Sequence, residues 1–316
     1  MTVENPDPRL SLLDYLRGVA GHTGTKSSCR QGGCGACTVM MEGLSINSCL
    51  RPLVACDGHH ITTTEGTGNV RDGYSKVQAA IAEGNGSQCG FCTPVRWRYF
   101  LCRASVSRLT WKASLSQGMV MNMHSLLATK PGLTDVQLEN HMDGNICRCT
   151  GYRPILSSFK KLLAEGWRPT CPNAPVSAAG APVSKTFASA GTTWTEPLTL
   201  QDMCAHIAGA KASQKPYRIV AGNTGHGVFP DDEAIVFINA TKVPQLVAAT
   251  GSGGSAITVG AAVSINHLID MLESASTAQT GGASSHAILV KHLSKVANNQ
   301  VRNVGSCECS NGRLGV

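Results

Sequence analysis

The hydrophobic positions change rhythm along the chain. Leu10, Leu12, Leu13 and Leu16 surround Asp14 at helical spacing, and Arg17 with Gly18 supplies a basic last turn and a glycine stop, which predicts a short helix. Residues 38–41 and 61–64 are apolar or β-branched runs of strand length. Helical periodicity then takes over at 73–83, 119–128, 134–142 and 155–165, and Thr134 with Gln137 forms a capping-box pattern. Residues 168–190 are rich in proline, alanine and serine and have no period, so they read as an inter-domain linker. Beyond them, strands expected at 216–221, 234–239 and 256–259 precede a helix at 264–274 with Ser264 as its cap. The pattern therefore predicts a small α+β unit, a helical unit and an α/β unit in succession.

Composition agrees with that division. A chain of 316 residues suggests two or three domains, and 42% hydrophobic content is enough to build their cores. No run of about 18 apolar residues occurs, so no transmembrane helix is expected. Residues 1–16 lack the basic and apolar regions of a signal peptide, which leaves cytoplasm as the expected compartment. The net charge of +7 does not mark a nucleic-acid binder. Arg96, Arg98, Arg103, Arg108 and Lys112 sit in one stretch without an acid, and what remains is an ordinary solvated surface.

The fourteen cysteines change the picture most. Without a secretion signal they favour metal binding over disulfides. Cys29, Cys34 and Cys37, followed by Cys49, have the C-x4-C-x2-C…C spacing of a plant-type ferredoxin. Three thiolates come from one tight loop and the fourth from a separate segment. Gly32, Gly33, Gly35 and Ala36 keep that loop free of bulk, so backbone N–H groups can point at cluster sulfurs. Structural zinc usually takes two C-x2-4-C knuckles, which this stretch lacks. Cys56 is extra and reads as a plain thiol. A second set, Cys89 with Cys92 and Cys147 with Cys149, supplies four more thiolates near helix ends. Its C-x2-C plus C-x-C spacing leaves zinc and iron–sulfur both open. Finally, a glycine-rich turn, residues 222–227, follows the strand at 216–221. It offers backbone N–H groups to an anion but lacks the G-x-G-x-x-G dinucleotide pattern, and by itself a plain tight turn explains it better.

CRQGGCGACTVM, NSCL, QCGFCTP and NICRCTGYRPIL in series resemble the xanthine dehydrogenase and aldehyde oxidase family. The resemblance implies two [2Fe–2S] clusters, one held by Cys29, Cys34, Cys37 and Cys49, the other by Cys89, Cys92, Cys147 and Cys149, with Gln88 toward the molybdopterin of the full enzyme. RIVAGNTGHG and VANNQVRNVGS resemble the FAD domain of that family, and the AGNTGHGV wording is similar to arthropod aldehyde oxidases. This implies flavin pyrophosphate against Ile219, Val220, Ala221, Gly222, Asn223, Thr224, Gly225 and His226, with a second flavin loop starting near Gly305 and Ser306. The implied architecture is multi-domain α+β. A ferredoxin-like β-grasp domain spans 1–68 and a helical-bundle [2Fe–2S] domain spans 69–167. After the linker, a truncated α/β FAD-binding domain of the PCMH type spans 191–316.

The chain also departs from the family pattern. The hairpin between Thr38 and Cys49 is short, and the family's opening strand is largely missing. Residues 95–117 interrupt the passage from Pro94 to Gly118, and removing them restores the family's spacing. They begin with valine and end with glutamine, whose codons carry the letters of intron boundaries, so a retained intron or gene-model error is expected. Cys307, Glu308, Cys309 and Ser310 stand where the second flavin loop needs glycines. The molybdenum-binding region is absent from this sequence.

What the resemblance implies is the electron-transfer portion of a molybdenum hydroxylase. Electrons would run from molybdenum through two [2Fe–2S] clusters to FAD, with no catalytic residue and no substrate turnover by this chain alone. It also implies a homodimer, with no nucleic-acid or membrane partner. The alternatives are an inactive truncated product binding at most one cluster, or a separate subunit that recruits a molybdenum chain.

Overall fold

The computed structural model describes residues 2–69, 71–91, 118–169, 183–229, 233–250, 257–277 and 285–306. Cys92, the 95–117 stretch and residues 307–310 lie outside them.

The first unit opens with helix α1 (Leu12–Gly18), and the Oγ of Ser11 accepts from the Asp14 N–H to cap it. Strands β1 (Thr38–Met41) and β2 (Leu44–Asn47) form an antiparallel hairpin. Its connection is two residues, Glu42 at φ 50° and Gly43 at φ 80°. Two left-handed residues give the tight turn whose twist matches the strands, so the shortness expected between Thr38 and Cys49 is accommodated by a two-residue hairpin turn. Strand β3 (Ile61–Thr62) pairs with the other edge of β1, giving the order β2-β1-β3. The strand expected over 61–64 stops early because Thr64 begins a helical turn, α2 (Thr64–Thr67). Leu12 and Leu16 of α1 pack on Val39 and Ile46 of the sheet.

The helical unit comprises α3 (Lys76–Glu83), α4 (Gly118–Thr129), α5 (Asp135–His141) and α6 (Arg153–Ala164). Capping boxes start two of them. Ser75 with Gln78 sets α3 to begin later than the expected residue 73, and Thr134 with Gln137 starts α5 as expected. Helix α4 is buried on nearly every side, from Gly118 through Leu127, as a helix at the centre of a structure must be. One face meets Val77, Ile81, Leu138, Ile155, Phe159 and Leu162. The other meets the first unit, where the Ser125 Oγ accepts from the Ser45 N–H (2.9 Å) and donates to the Gly43 carbonyl (2.8 Å).

The third unit is built on a sheet of β4 (Lys185–Ser189), β5 (Thr192–Glu196), β6 (Tyr217–Val220) and β7 (Val236–Asn239) in the order β4-β5-β7-β6. The β4–β5 pair is antiparallel; β5–β7 and β6–β7 are parallel. Strand β4 lies inside the segment expected to be linker through residue 190. The linker reading is corrected at Lys185, where the strand begins; Phe187 pairs opposite Trp194 and packs on its core. Helix α7 (Leu200–Ala212) connects β5 to β6, which makes the parallel pairing possible. Helix α8 (Pro244–Val247) and strands β8 (Ala249–Thr250) and β9 (Thr258–Val259) follow. Helix α9 (Ile265–Thr277) then packs on α10 (Ser285–Leu293), and the short α11 (Asn299–Arg302) closes the described chain. The expected cap holds, as the Ser264 Oγ accepts from the His267 N–H. Val54 and Ala55 of the first unit complete the core around Trp194, Val220 and Phe237, so the first and third units share buried surface.

Candidate cofactor sites

The loop carrying Cys29, Cys34 and Cys37 leaves α1 and returns into β1, and Cys49 follows β2. Positive φ angles at Arg30 (58°), Gly32 (75°) and Gly35 (68°) wrap it. At Gly35 a Cβ would stand 2.1 Å from the Gly144 carbonyl, so no larger residue fits. The sulfurs meet in twos: Cys29 with Cys34, and Cys37 with Cys49. Among the described residues no three of His, Cys, Asp or Glu converge as ligands of one metal ion would. Two pairs of thiolates are the donor set of a two-iron rhomb, each iron taking one pair, whereas a single zinc needs all four about one point.

Electrostatics follow the same plan. Burial opposes ionisation of Cys29. The Gln31 N–H (3.3 Å), the Cys34 thiol, and then the N–H groups of Cys34 and Gly33 outweigh it and hold the thiol below its ordinary value. The contact with Cys49 lowers Cys37, and Cys49 is correspondingly raised although the Gly32 N–H is directed at it. Burial raises Cys34, against the N–H of Ala36. Cys56 donates its thiol to the Pro52 carbonyl (3.5 Å), and burial raises it.

The second set is more open. Cys89 and Cys149 are exposed and contact each other through their sulfurs, and buried Cys147 is close enough to act on Cys149 electrostatically. Thr150 lies 3.1 Å from the Cys147 sulfur, and the Tyr152 hydroxyl accepts from the Cys147 N–H. Gln88 is exposed beside Cys89. The two sets are joined directly: the Ile146 N–H donates to the Cys34 carbonyl (3.0 Å), and the Asn145 side chain donates to the Gly35 carbonyl. Gly118 sits over Gly35 so closely that a Cβ there would overlap its carbonyl.

The glycine-rich turn leaves β6 at Val220. Asn223 is left-handed (φ 57°), and a 3-10 turn covers Thr224–Gly227. Its Asn223 Nδ2 donates to the Leu50 carbonyl (2.8 Å), and a Cβ on Gly227 would stand 2.7 Å from the Gln31 carbonyl. On its other side Gly222 lies against Val304 and Gly305, while buried Ser306 bridges to Ser264. The structure thus brings the turn, the 304–306 segment and the first cysteine loop together. Val220 and Ala221 are buried, so of the expected flavin contacts these two offer chiefly backbone; Ile219, at 39%, is the most exposed of that strand end.

Sequence reasoning missed a set of carboxamides between the units. Asn122 and Gln300 both donate to the Asn145 Oδ1 (2.9 and 2.8 Å), Asn298 donates to the Gly32 carbonyl (2.8 Å), and Asn303 donates to the Ser45 carbonyl (2.6 Å). Arg302 is buried beside Asp143 (3.6 Å). Neutral amides carry no motif, so only their density in the run 298–303 was available as a signal.

Three family models match in order: "2Fe-2S iron-sulfur cluster binding domain" over residues 1–56, "[2Fe-2S] binding domain" over 116–160, and "FAD binding domain in molybdopterin dehydrogenase" over 186–307. The chain is 43% identical over 172 residues to a xanthine dehydrogenase of Emericella nidulans, covering 51% of this chain and 11% of that one. It is 30% identical over 365 residues to aldehyde oxidase 2 of Mus musculus, covering 97% of this chain and 25% of that one. Among solved structures, quinoline 2-oxidoreductase from Pseudomonas putida 86 matches at 32% identity with a TM-score of 0.40, covering 51% of this chain and 87% of that one. The chain thus spans a quarter or less of the curated relatives named. It belongs to the xanthine dehydrogenase and aldehyde oxidase family, of which it carries two [2Fe–2S] domains and a FAD-binding region.

Proposed function

We propose that this chain is the electron-transfer portion of a molybdenum hydroxylase acting on an aldehyde or a purine-like heterocycle. Cys29, Cys34, Cys37 and Cys49 would hold one cluster, and Cys89, Cys92, Cys147 and Cys149 the other. The turn at 219–226 with Ser306 would seat FAD, and Gln88 would face the molybdopterin side. When bound, these groups supply one-electron transfer at the clusters and a change to two-electron chemistry at the flavin. The chain's own residues hold thiolates in pairs, direct N–H groups at them, and keep the glycine-rich turn against the first loop. The observation that carries this reading is the two-by-two meeting of the first four sulfurs.

The test is iron and acid-labile sulfide on anaerobically purified chain, with EPR after reduction. About four irons and two distinct spectra are expected, since each cluster holds two irons. Bound zinc without sulfide, or no iron after reconstitution, overturns it. The competing product, binding one cluster only, draws on a specific observation: the second family match covers residues 116–160 and so takes in Cys147 and Cys149 but not Cys89 and Cys92. About two irons and one spectrum would favour it. A cytoplasmic homodimer is proposed from the family; among the described residues no helix is long and apolar enough to cross a membrane. Light scattering of the purified chain tests the dimer.

A further inference from the structure

The Gly32 carbonyl accepts two side-chain amides. One is Asn47 Nδ2 (3.0 Å), from the end of β2; the other is Asn298 Nδ2 (2.8 Å), which arrives from the flavin-binding region 266 residues later in the chain. The orientation of Asn298 is determined by its other contact. Its Oδ1 accepts from the Val301 N–H (3.0 Å) and caps α11, so its NH2 must face the carbonyl. Two donors on one carbonyl fill both of its lone pairs.

The peptide unit between Gly32 and Gly33 is planar and trans, so its C=O and N–H point in opposite directions within one plane. Holding the oxygen therefore aims the hydrogen. That N–H is directed at the sulfur of Cys29, while the Gly32 N–H is directed at Cys49. A Gly-Gly peptide has no side chain to restrain it, and nothing stands within 4 Å of where a Cβ on Gly33 would be. Hydrogen bonds to ligand sulfurs stabilise the reduced, more negative form of a cluster and raise its potential.

We propose that Asn298 is a positioning residue for the first cluster: by holding the Gly32 carbonyl it aims the Gly33 N–H at Cys29, so that docking of the flavin-binding region sets the reduction potential of the neighbouring cluster. The inference rests on the cluster assignment above. It adds that this potential is a property of the docked pair of units rather than of the first unit alone.

The experiment is an EPR-monitored redox titration of the full chain, wild type against Asn298→Ser. Serine keeps the helix cap but is too short to reach Gly32. Unchanged iron content is expected, with the ferredoxin-type signal appearing at a lower potential and the second cluster unmoved. Asn47→Ser, which removes the other anchor from inside the first unit together with the Asn47 contact to the Cys37 sulfur (3.9 Å), should move the same signal in the same direction. It provides the readout where the first variant does not assemble. An unmoved titration overturns the inference, as does an equal shift of both clusters, which would indicate general loosening. Absence of any cluster in the wild type fails the underlying assignment instead, and is seen before a substitution is made.

Discussion

The two cysteine sets offer similar donors to very different surroundings. In the first, Cys37 and Cys49 are 3% and 5% exposed and pack with Leu13 and Leu50, and backbone N–H groups of the loop compensate the buried negative charge. In the second, Cys89 and Cys149 are open to solvent, while Cys147 is buried. Burial alone would push thiols toward protonation. The first loop can be buried because its glycines let the backbone supply donors, whereas Cys89 and Cys149 of the second stay at the surface.

Removing a proposed ligand should separate the sets most strongly. Cys37→Ser and Cys149→Ser are each expected to cost about two irons per chain. Only Cys37→Ser should also lower the melting temperature, because its sulfur belongs to a core. Equal melting temperatures in the two variants would erase the contrast.

Glycine substitutions come next. Gly35→Ala places a Cβ 2.1 Å from the Gly144 carbonyl at φ +68° and should destabilise by about 3 kcal/mol or more. Gly151→Ala, at φ +65° but in open space, should cost only about 1–2 kcal/mol for the left-handed conformation. Urea midpoints measure both.

Acid should act on the helical unit. Burial pushes His124 down to about 4, and its ring lies 2.9 Å from the Ser75 hydroxyl. Burial also pushes His141 down to about 4, aided by the Lys130 charge. A histidine neutral in the fold but titrating near 6.5 when unfolded takes up its proton in the unfolded state first. Stability is therefore full above about pH 6.5 and falls as pH drops toward 4, by an amount on the order of 3 kcal/mol for His124. His124→Gln should flatten the pH dependence of the urea midpoint over that window; an unaltered slope would remove His124 from the account.

The smallest effect belongs to the exposed pair Arg30–Asp14 (2.7 Å) beside the first loop. Arg30→Gln should change stability by about 0.5 kcal/mol at low salt and less at high salt. A larger loss would mean that the pair holds the cysteine loop itself.

Local chemistry was legible in advance. Helix α1, strand β1 and the four helices of the second unit follow from apolar spacing and capping residues, within the shifts that Ser75 and Thr64 impose. The ligand candidates follow from cysteine spacing, and the glycine-rich turn from its punctuation. Strands β4 and β5 were not legible. Lys185–Ser189 alternates exposed and half-buried positions without a strong apolar face, and it becomes a strand only because β5 offers it an edge.

By itself the sequence determined the first helix, the helical unit and which cysteines are spaced as iron–sulfur candidates, because those depend on contacts within a few residues. The pairing of sulfurs, the packing of Gly118 on Gly35, and the amides of Asn145, Asn298 and Gln300 at the unit junctions were decided only by tertiary structure. An asparagine's role depends on which backbone group lies opposite it, and nothing local specifies a partner 266 residues away.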